Sequence, residues 1–525
     1  MRNKIIIVGA GLAGMVAAYE AQNEGAEVVL VDKGPIGIGT NSSLANGVFA
    51  GPTHDCSSDI YIQETCETGR HINNQSVVRL ISEEAPGAFQ FLRSLSLNLR
   101  ETSNQHIVEA PLPDTIPGVV LMKKLAETLK NLDRIDVIKG LYVTEIMVEK
   151  NHVCGVKGIT RKGEEISLPT PVVVLATGGA GAIYLRNDNQ KKTMGQGQYL
   201  GAKAGLQLWD MEFIQFYPLV LAEPHLPQLI VYPPYPKEAK LINAAGDDII
   251  GKYGLGDINA AIRKKRDEIS MWLFEESSAG PVKMDFRDVP DHLWENHPLS
   301  LLKKINFDFR TKPVTVSPAA HFSMGGVRTD GDGQTAVKGL FACGEMLWGL
   351  HGANRMSGNA LTECVVTGRI VGRHAAQCCR DFPKVSLPQG EPSKASVPQT
   401  PRTKDSLKGI LTTIREIAWD HAGIVRSGKG MQDGLVKVEE IKRQLRGIVP
   451  ENPAEKILSK DLTSALFALE AILTAGIGRQ ESRGSFIRRD FPDEDNVNWR
   501  KNSCLRYHAG EERFSVDYHS ACLKT

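Results

Sequence analysis

The chain opens on a short apolar, β-branched run, Lys4-Ile5-Ile6-Ile7-Val8, which breaks into Gly9-Ala10-Gly11-Leu12-Ala13-Gly14 and continues as an Ala-rich stretch of helical spacing through Glu20. A second apolar run, Glu27 to Val31, ends on Asp32. Strand, glycine turn, helix and strand in this order predict a βαβ unit on a parallel sheet. Two later runs read as buried strands that end in glycine: Pro171-Val172-Val173-Val174-Leu175-Ala176-Thr177-Gly178-Gly179 and Gly339-Leu340-Phe341-Ala342-Cys343-Gly344-Glu345. Between residues 218 and 318 this grammar stops, and a Pro-rich loop, Tyr232 to Pro236, with a charged helix, Arg263 to Glu276, marks an inserted domain. Residues 381–405, rich in Pro, Ser, Lys and Gln, read as a linker. Beyond it, apolar residues at helical spacing over Leu407 to Ala422, Gly430 to Leu445 and Lys460 to Ala475 predict a C-terminal helical domain. The predicted organisation is therefore an α/β domain over 1–217 with a return segment at 319–380, an insertion at 218–318, the linker, and helices within 406–525.

Composition narrows the partners. At 525 residues the chain exceeds what one hydrophobic core serves, in keeping with several domains. Sixty-two Lys and Arg against sixty-one Asp and Glu give a formal charge of +1, so no surface for nucleic acid or an anionic membrane is advertised. The nine cysteines are odd in number, scattered and without a CxxC pair, which argues against a disulfide framework and against an iron-sulfur, zinc or other metal site in this chain. No apolar run reaches the length of a bilayer span and no basic-then-apolar leader precedes Lys4, so the expected location is cytoplasmic, with membrane association only through a partner.

The glycine turn carries the first chemistry. Gly9 permits the tight turn, Gly11 lets a pyrophosphate approach the backbone beside Ala10, and Gly14 lets helix and strand pack closely. The helix N-terminus then faces the phosphates, and Asp32 stands about twenty residues beyond the glycines to accept from ribose hydroxyls, with Lys33 next to it. The strand ends Ala176-Thr177-Gly178-Gly179 and Gly344-Glu345 converge on the same crevice, which favours one elongated cofactor, FAD, over NAD.

Four further segments follow one another in a specific order. Met211-Glu212-Phe213-Ile214-Gln215-Phe216-Tyr217-Pro218 is similar to an MEFxQFHP segment, and His321-Phe322-Ser323-Met324-Gly325-Gly326 to HYTMGG. His351-Gly352-Ala353-Asn354-Arg355-Met356-Ser357-Gly358-Asn359-Ala360-Leu361 is similar to HGANRLGGNSL, and Glu481-Ser482-Arg483-Gly484 matches a C-terminal ESRG segment. Over essentially its whole length the chain resembles the flavoprotein subunits of fumarate reductase and succinate dehydrogenase and their relative L-aspartate oxidase. That resemblance implies a Rossmann-like FAD-binding domain, an inserted α+β capping domain that closes over the flavin, and a C-terminal helical domain. It adds Asn41, Ser42, Ala45, Asn46 and Gly47, and Asn359, Ala360 and Leu361, to the cofactor-binding set.

The resemblance also assigns roles. Arg355 and His321 match the family's substrate-holding residues; a guanidinium gives a carboxylate a planar fork, at about 1.5–3 kcal/mol for each charge-assisted bond. The proton-donating arginine of the family opens a capping-domain helix in an Arg-Asp dipeptide. Arg266-Asp267 matches it, with Glu276 ten residues on, whereas the alternative register, Gly256-Asp257-Ile258, lacks the arginine. Three positions depart from the pattern. Tyr217 stands where the family has a histidine for the second carboxylate, and Asn243 is aligned with its threonine partner, so a C4 dicarboxylate is not the implied substrate. Asn41 stands where the membrane-bound enzymes carry the histidine that links the flavin, so FAD is expected to be noncovalent. The leading reading is an enoate reductase that moves hydride between flavin N5 and a carbon-carbon bond next to a carboxylate, with a small carboxylic acid as substrate and electrons from a separate iron-sulfur or other redox subunit. L-aspartate oxidase and an electron-relay flavoprotein of a larger complex are the alternatives.

Overall fold

The structure is a computed structural model that describes residues 3–382 and 407–521; residues 383–405 of the expected linker lie outside it. Its first layer is a parallel five-stranded sheet. Leu340–Ala342, Val172–Leu175, Lys4–Val8, Glu27–Asp32 and Ile135–Lys139 follow one another across it. Four of these strands are the apolar runs of the sequence. The fifth, Ile135–Lys139, is a half-exposed edge strand whose mixed pattern carries no signal. Helix Leu12–Asn23 rises from the glycine turn and packs on the long helix Asn359–Asp381, so that a buried sheet core closes on this face.

The insertion builds its own sheet, ordered Ile214–Leu221, Val314–Ser323, Lys283–Asp285 and Lys240–Ile242, over a separate apolar core. Its two longest strands run unbroken through positions 217/218 and 318/319 and carry Tyr217 and His321. The single charged helix expected over Arg263–Glu276 is in fact two, Ile258–Lys264 and Arg266–Glu276, with Lys265 out of helical geometry at φ −128° and ψ 34° between them. Different surroundings on the two sides of the break explain it. Asp257 caps the first helix by accepting from Ala260 N at 2.7 Å, and its last residues, Arg263 and Lys264, face solvent. The second helix turns Arg266, Ile269, Ser270 and Leu273 inward. A charge run thus splits into a solvated end and one buried cation.

The C-terminal part contributes helices Leu407–Ala422, Gly428–Arg446 and Pro453–Gly478. They are followed by a hairpin, Lys501–His508 and Arg513–Ser520, which joins Leu208–Trp209 in a second sheet and which the helical periodicity does not foreshadow. Among the described residues Pro453–Gly478 is long and apolar enough to cross a membrane by length and composition, which corrects the reading that no such run exists; 78% of its apolar window is buried, as befits a core helix. The ESRG segment is structural here. Fully buried Arg479 binds Glu212 and Glu481, each at 2.8 Å, and Arg483 binds Glu481 at 2.8 Å, tying this segment to the start of the Glu212–Tyr217 stretch. Ser485 donates from N (3.0 Å) and Oγ (3.1 Å) to the Ala353 carbonyl, bracing the loop that presents Arg355.

Candidate active site

Two adjoining cavities, of about 430 and 220 Å³, meet at Asn41, Ser42, Glu345 and Cys364. The larger lies at the carboxyl ends of the parallel strands. The three glycines of the turn do different work there. Gly9 has φ +110°, and a Cβ on it would stand 2.2 Å from the Ala176 carbonyl oxygen. A Cβ on Gly14 would stand 1.9 Å from the Gly9 carbonyl oxygen, so Gly14 serves helix-strand packing and does not line the cavity. At Gly11 the nearest atom to such a Cβ is Ser42 Oγ, at 3.8 Å, so this position opens into the cavity. Asp32 accepts from Ala10 N at 2.8 Å and Gly34 N at 2.5 Å, which fixes its carboxylate at the cavity wall with lone pairs to spare.

Of the remaining expected cofactor residues, Ala10, Lys33, Ala176, Thr177, Gly178, Asn41, Ser42, Ala45, Asn46, Glu345, Ala360 and Leu361 line one cavity or both. Lys33 turns its amine to Asp461 at 2.9 Å. Four do not reach the cavities. Gly47 is closed in by Pro117 and Val108, Gly179 by Glu345 and Ser323, and Gly344 by Ala13, while Asn359 is buried between Tyr61 (3.0 Å) and Thr65 (3.3 Å). Their role is to hold the backbone that carries their neighbours. Lys192, Thr193 and Cys364 also line the cavity walls, and nothing in their local sequence pattern marks them.

The smaller cavity is roofed by the insertion and gathers Tyr217, Arg266, His321 and Arg355. Arg355 is buried, donates from Nε to Gln215 Oε1 at 3.1 Å, and lies 4.9 Å over the Phe322 ring. Burial, and then the neighbouring Arg266, push its pKa down to about 9. Arg266 is buried too, 5.6 Å over the Tyr217 ring, and its Nε and Nη1 have no hydrogen-bond partner. Two buried guanidiniums on one chamber, one of them with orphaned donors, are costly unless an anion joins them. His321 Nδ1 contacts Asp188 Oδ2 at 2.7 Å, which leaves Nε2 for the chamber. Burial holds this imidazole below its ordinary pKa against the pull of Asp188. Gln215 also donates to Asn354 Oδ1 (2.7 Å), and Asn354 donates to Asp267 (2.6 Å), whose pKa burial pushes up to about 6.

Asn243 is not part of this chamber. Its side chain donates to Glu276 (3.0 Å) and Asp247 (3.1 Å) and its Oδ1 accepts from Ala245 N and Asp247 N, which makes it a turn residue at the far end of the helix Arg266–Glu276. Besides Arg266, the insertion lines the chamber with the loop that carries Leu229, Ile230, Tyr232 and Pro233.

Residues 4–361 match the FAD binding domain family, and residues 412–525 match the fumarate reductase flavoprotein C-terminal family. The chain belongs to the family of the fumarate reductase and succinate dehydrogenase flavoproteins and L-aspartate oxidase. An L-aspartate oxidase of Mesorhizobium japonicum is 31% identical over 93% of this chain and 92% of its own. A CoM/CoB fumarate reductase subunit from Methanothermobacter marburgensis is 28% identical, covering 95% and 96%. Among solved structures, an Escherichia coli quinol fumarate reductase superposes with a TM-score of 0.86 at 24% identity, covering 100% of this chain and 97% of that one. Mycobacterium smegmatis Sdh1 superposes with a TM-score of 0.86 at 25% identity, covering 100% and 95%.

As a member of this flavoprotein family the chain is an FAD-dependent oxidoreductase. The residues present fit the cofactor: an open glycine face, a fixed carboxylate and two adjoining cavities with a shared wall. Asn41 faces both halves of it, bonded through Nδ2 to Asn189 (2.6 Å) and through Oδ1 to Gln190 N (2.8 Å), and an amide offers no nitrogen nucleophile to a flavin methyl group. Noncovalent FAD is compatible with that wall.

Proposed function

We propose that this flavoprotein exchanges hydride and proton across a carbon-carbon bond next to a carboxylate, in the manner of the fumarate reductases. The observation that supports the reading most is the pair of buried guanidiniums, Arg355 and Arg266, on a chamber that adjoins the larger cavity at the glycine turn. Arg355, oriented by Gln215, holds the carboxylate, and His321 Nε2 stands beside it. The flavin, when bound and reduced by two electrons, would supply a hydride to one carbon and return to oxidised FAD. Arg266 gives a proton to the neighbouring carbon. An arginine keeps its proton in water, so the transfer needs a strongly basic carbon held close to it. Electrons come from a separate redox protein, such as an iron-sulfur protein. The naming of the Methanothermobacter relative as one subunit of an enzyme supports that partner, and a cytoplasm-facing chain held to a membrane through such a partner suits it.

Oxidation of an amino dicarboxylate is the second reading, favoured by the name of the Mesorhizobium relative. Both readings require an acid on Arg355. Calorimetric titration of the FAD-loaded protein with unsaturated carboxylic acids should show binding that Arg355→Gln weakens by at least about tenfold, the equivalent of about 1.4 kcal/mol. Undiminished binding by the variant would remove the carboxylate from this site.

A further inference from the structure

The phenols on the roof of the chamber have no proton left for a ligand. Tyr235 donates its hydroxyl proton to the Val231 carbonyl at 2.8 Å, so the 3.2 Å contact between the Tyr217 and Tyr235 hydroxyls carries the Tyr217 proton. Tyr232 donates to the Leu44 carbonyl. Burial pushes the pKa of all three upward, so they stay neutral. Tyr217 and Tyr232 therefore offer the chamber ring surface, and Leu229, Ile230 and Pro233 extend it with aliphatic surface. Among the described residues, the cationic side chains that line the chamber are Arg266, Arg355 and, when protonated, His321; Asp188 and Glu345 line it as acids. One carboxylate is matched by this set. A second placed against the roof would face aromatic and aliphatic carbon and phenols with no proton to give, with Arg266, which the proposed function keeps for proton transfer, as the cation left to it, and an incompletely paired buried charge is unfavourable.

We propose that the ligand of this site carries a single carboxylate and, in the place of a second one, a flat apolar body that stacks on the Tyr217 and Tyr232 rings: an acid of the 3-aryl-2-propenoate class rather than a dicarboxylate. The inference rests on the reading that Arg355 holds a carboxylate, and it goes further by fixing what lies at the other end of the molecule. Aromatic rings gain from offset or edge contact with one another beyond their buried area, which favours an aryl over a short alkyl group.

The test is isothermal titration of the oxidised, FAD-loaded parent protein with trans-3-phenylpropenoate, crotonate and fumarate, followed by Tyr217→His and Arg355→Gln. In the parent, phenylpropenoate should bind at least about tenfold tighter than fumarate, with crotonate between them. Tyr217→His, which returns an ionisable donor to the roof, should shift the preference toward fumarate by about tenfold. If fumarate binds more tightly than phenylpropenoate to the parent while Arg355→Gln weakens both, the carboxylate reading stands and the single-carboxylate class is overturned. If none of the three acids binds, or if Arg355→Gln changes nothing, the proposed function itself fails. The comparison of three acids on the parent holds even if Tyr217→His does not retain FAD.

Discussion

Gly11 separates the needs of the fold from those of the cofactor. Its backbone is extended, at φ −74° and ψ −175°, and a Cβ there would meet only Ser42 Oγ within 4 Å, so the fold itself does not require glycine at this position. In the proposed account that room is for the pyrophosphate. Gly11→Val should therefore fold with a circular dichroism spectrum like the parent's and be purified with less than about a tenth of the parent's flavin, a loss worth more than about 1.4 kcal/mol of binding. Full flavin stoichiometry in that variant would place the cofactor elsewhere. His321 gives a pH signature. Its folded pKa lies below the ordinary histidine value, so the free site is neutral at pH 7, and a bound carboxylate favours the protonated ring and raises that pKa. Affinity for an acid should be highest below the free-site pKa, fall by up to about tenfold per pH unit between the free and bound values, and level off above. Dissociation constants measured from about pH 5 to about pH 8.5 check this, and His321→Gln should flatten the curve.

At the scale of elements, the break at Lys265 decides the chemistry. It ends one helix in solvent and starts the next with Arg266 turned into the chamber, so a basic run that reads as a solvated face delivers one buried cation. Arg266→Gln should leave FAD content and dye-linked flavin reduction intact while lowering alkene turnover by at least about a hundredfold, the lower end of what a positioned proton donor contributes. Parent-like turnover would move the proton source to another group. Much of this architecture is legible in the chain itself, because strand runs, the glycine turn and the Arg-Asp helix start are local features with local physical causes. The partners are less so. The Asp188 that orients His321 lies 133 positions away, and the Val231 carbonyl that takes the Tyr235 proton sits in an unpatterned loop. Asn243 misleads because alignment with the family's threonine fixes a position in the chain and not the side chain's partners, and the structure uses its amide for an Asx turn.

Across the whole molecule, the chamber is assembled from parts that are distant in sequence. The insertion touches the FAD-binding domain through Tyr232 at the Leu44 carbonyl, His297 at Asn46 (2.9 Å) and Asp267 at Asn354 (2.6 Å), and the C-terminal segment braces the Arg355 loop through Ser485. The residues proposed to hold the cofactor, anchor the carboxylate and give the proton thus meet only in the complete fold. Whether they act together is decided by anaerobic reoxidation. The FAD-loaded protein is reduced chemically, freed of reductant, and titrated with an unsaturated carboxylic acid while the oxidised flavin band is followed. The account predicts return of that band with one equivalent of acid per flavin and formation of the saturated acid, both suppressed in Arg355→Gln. A protein that is reoxidised by an electron-accepting dye but by no unsaturated acid, mono- or dicarboxylic, would contradict it and leave an electron relay in place of a reductase.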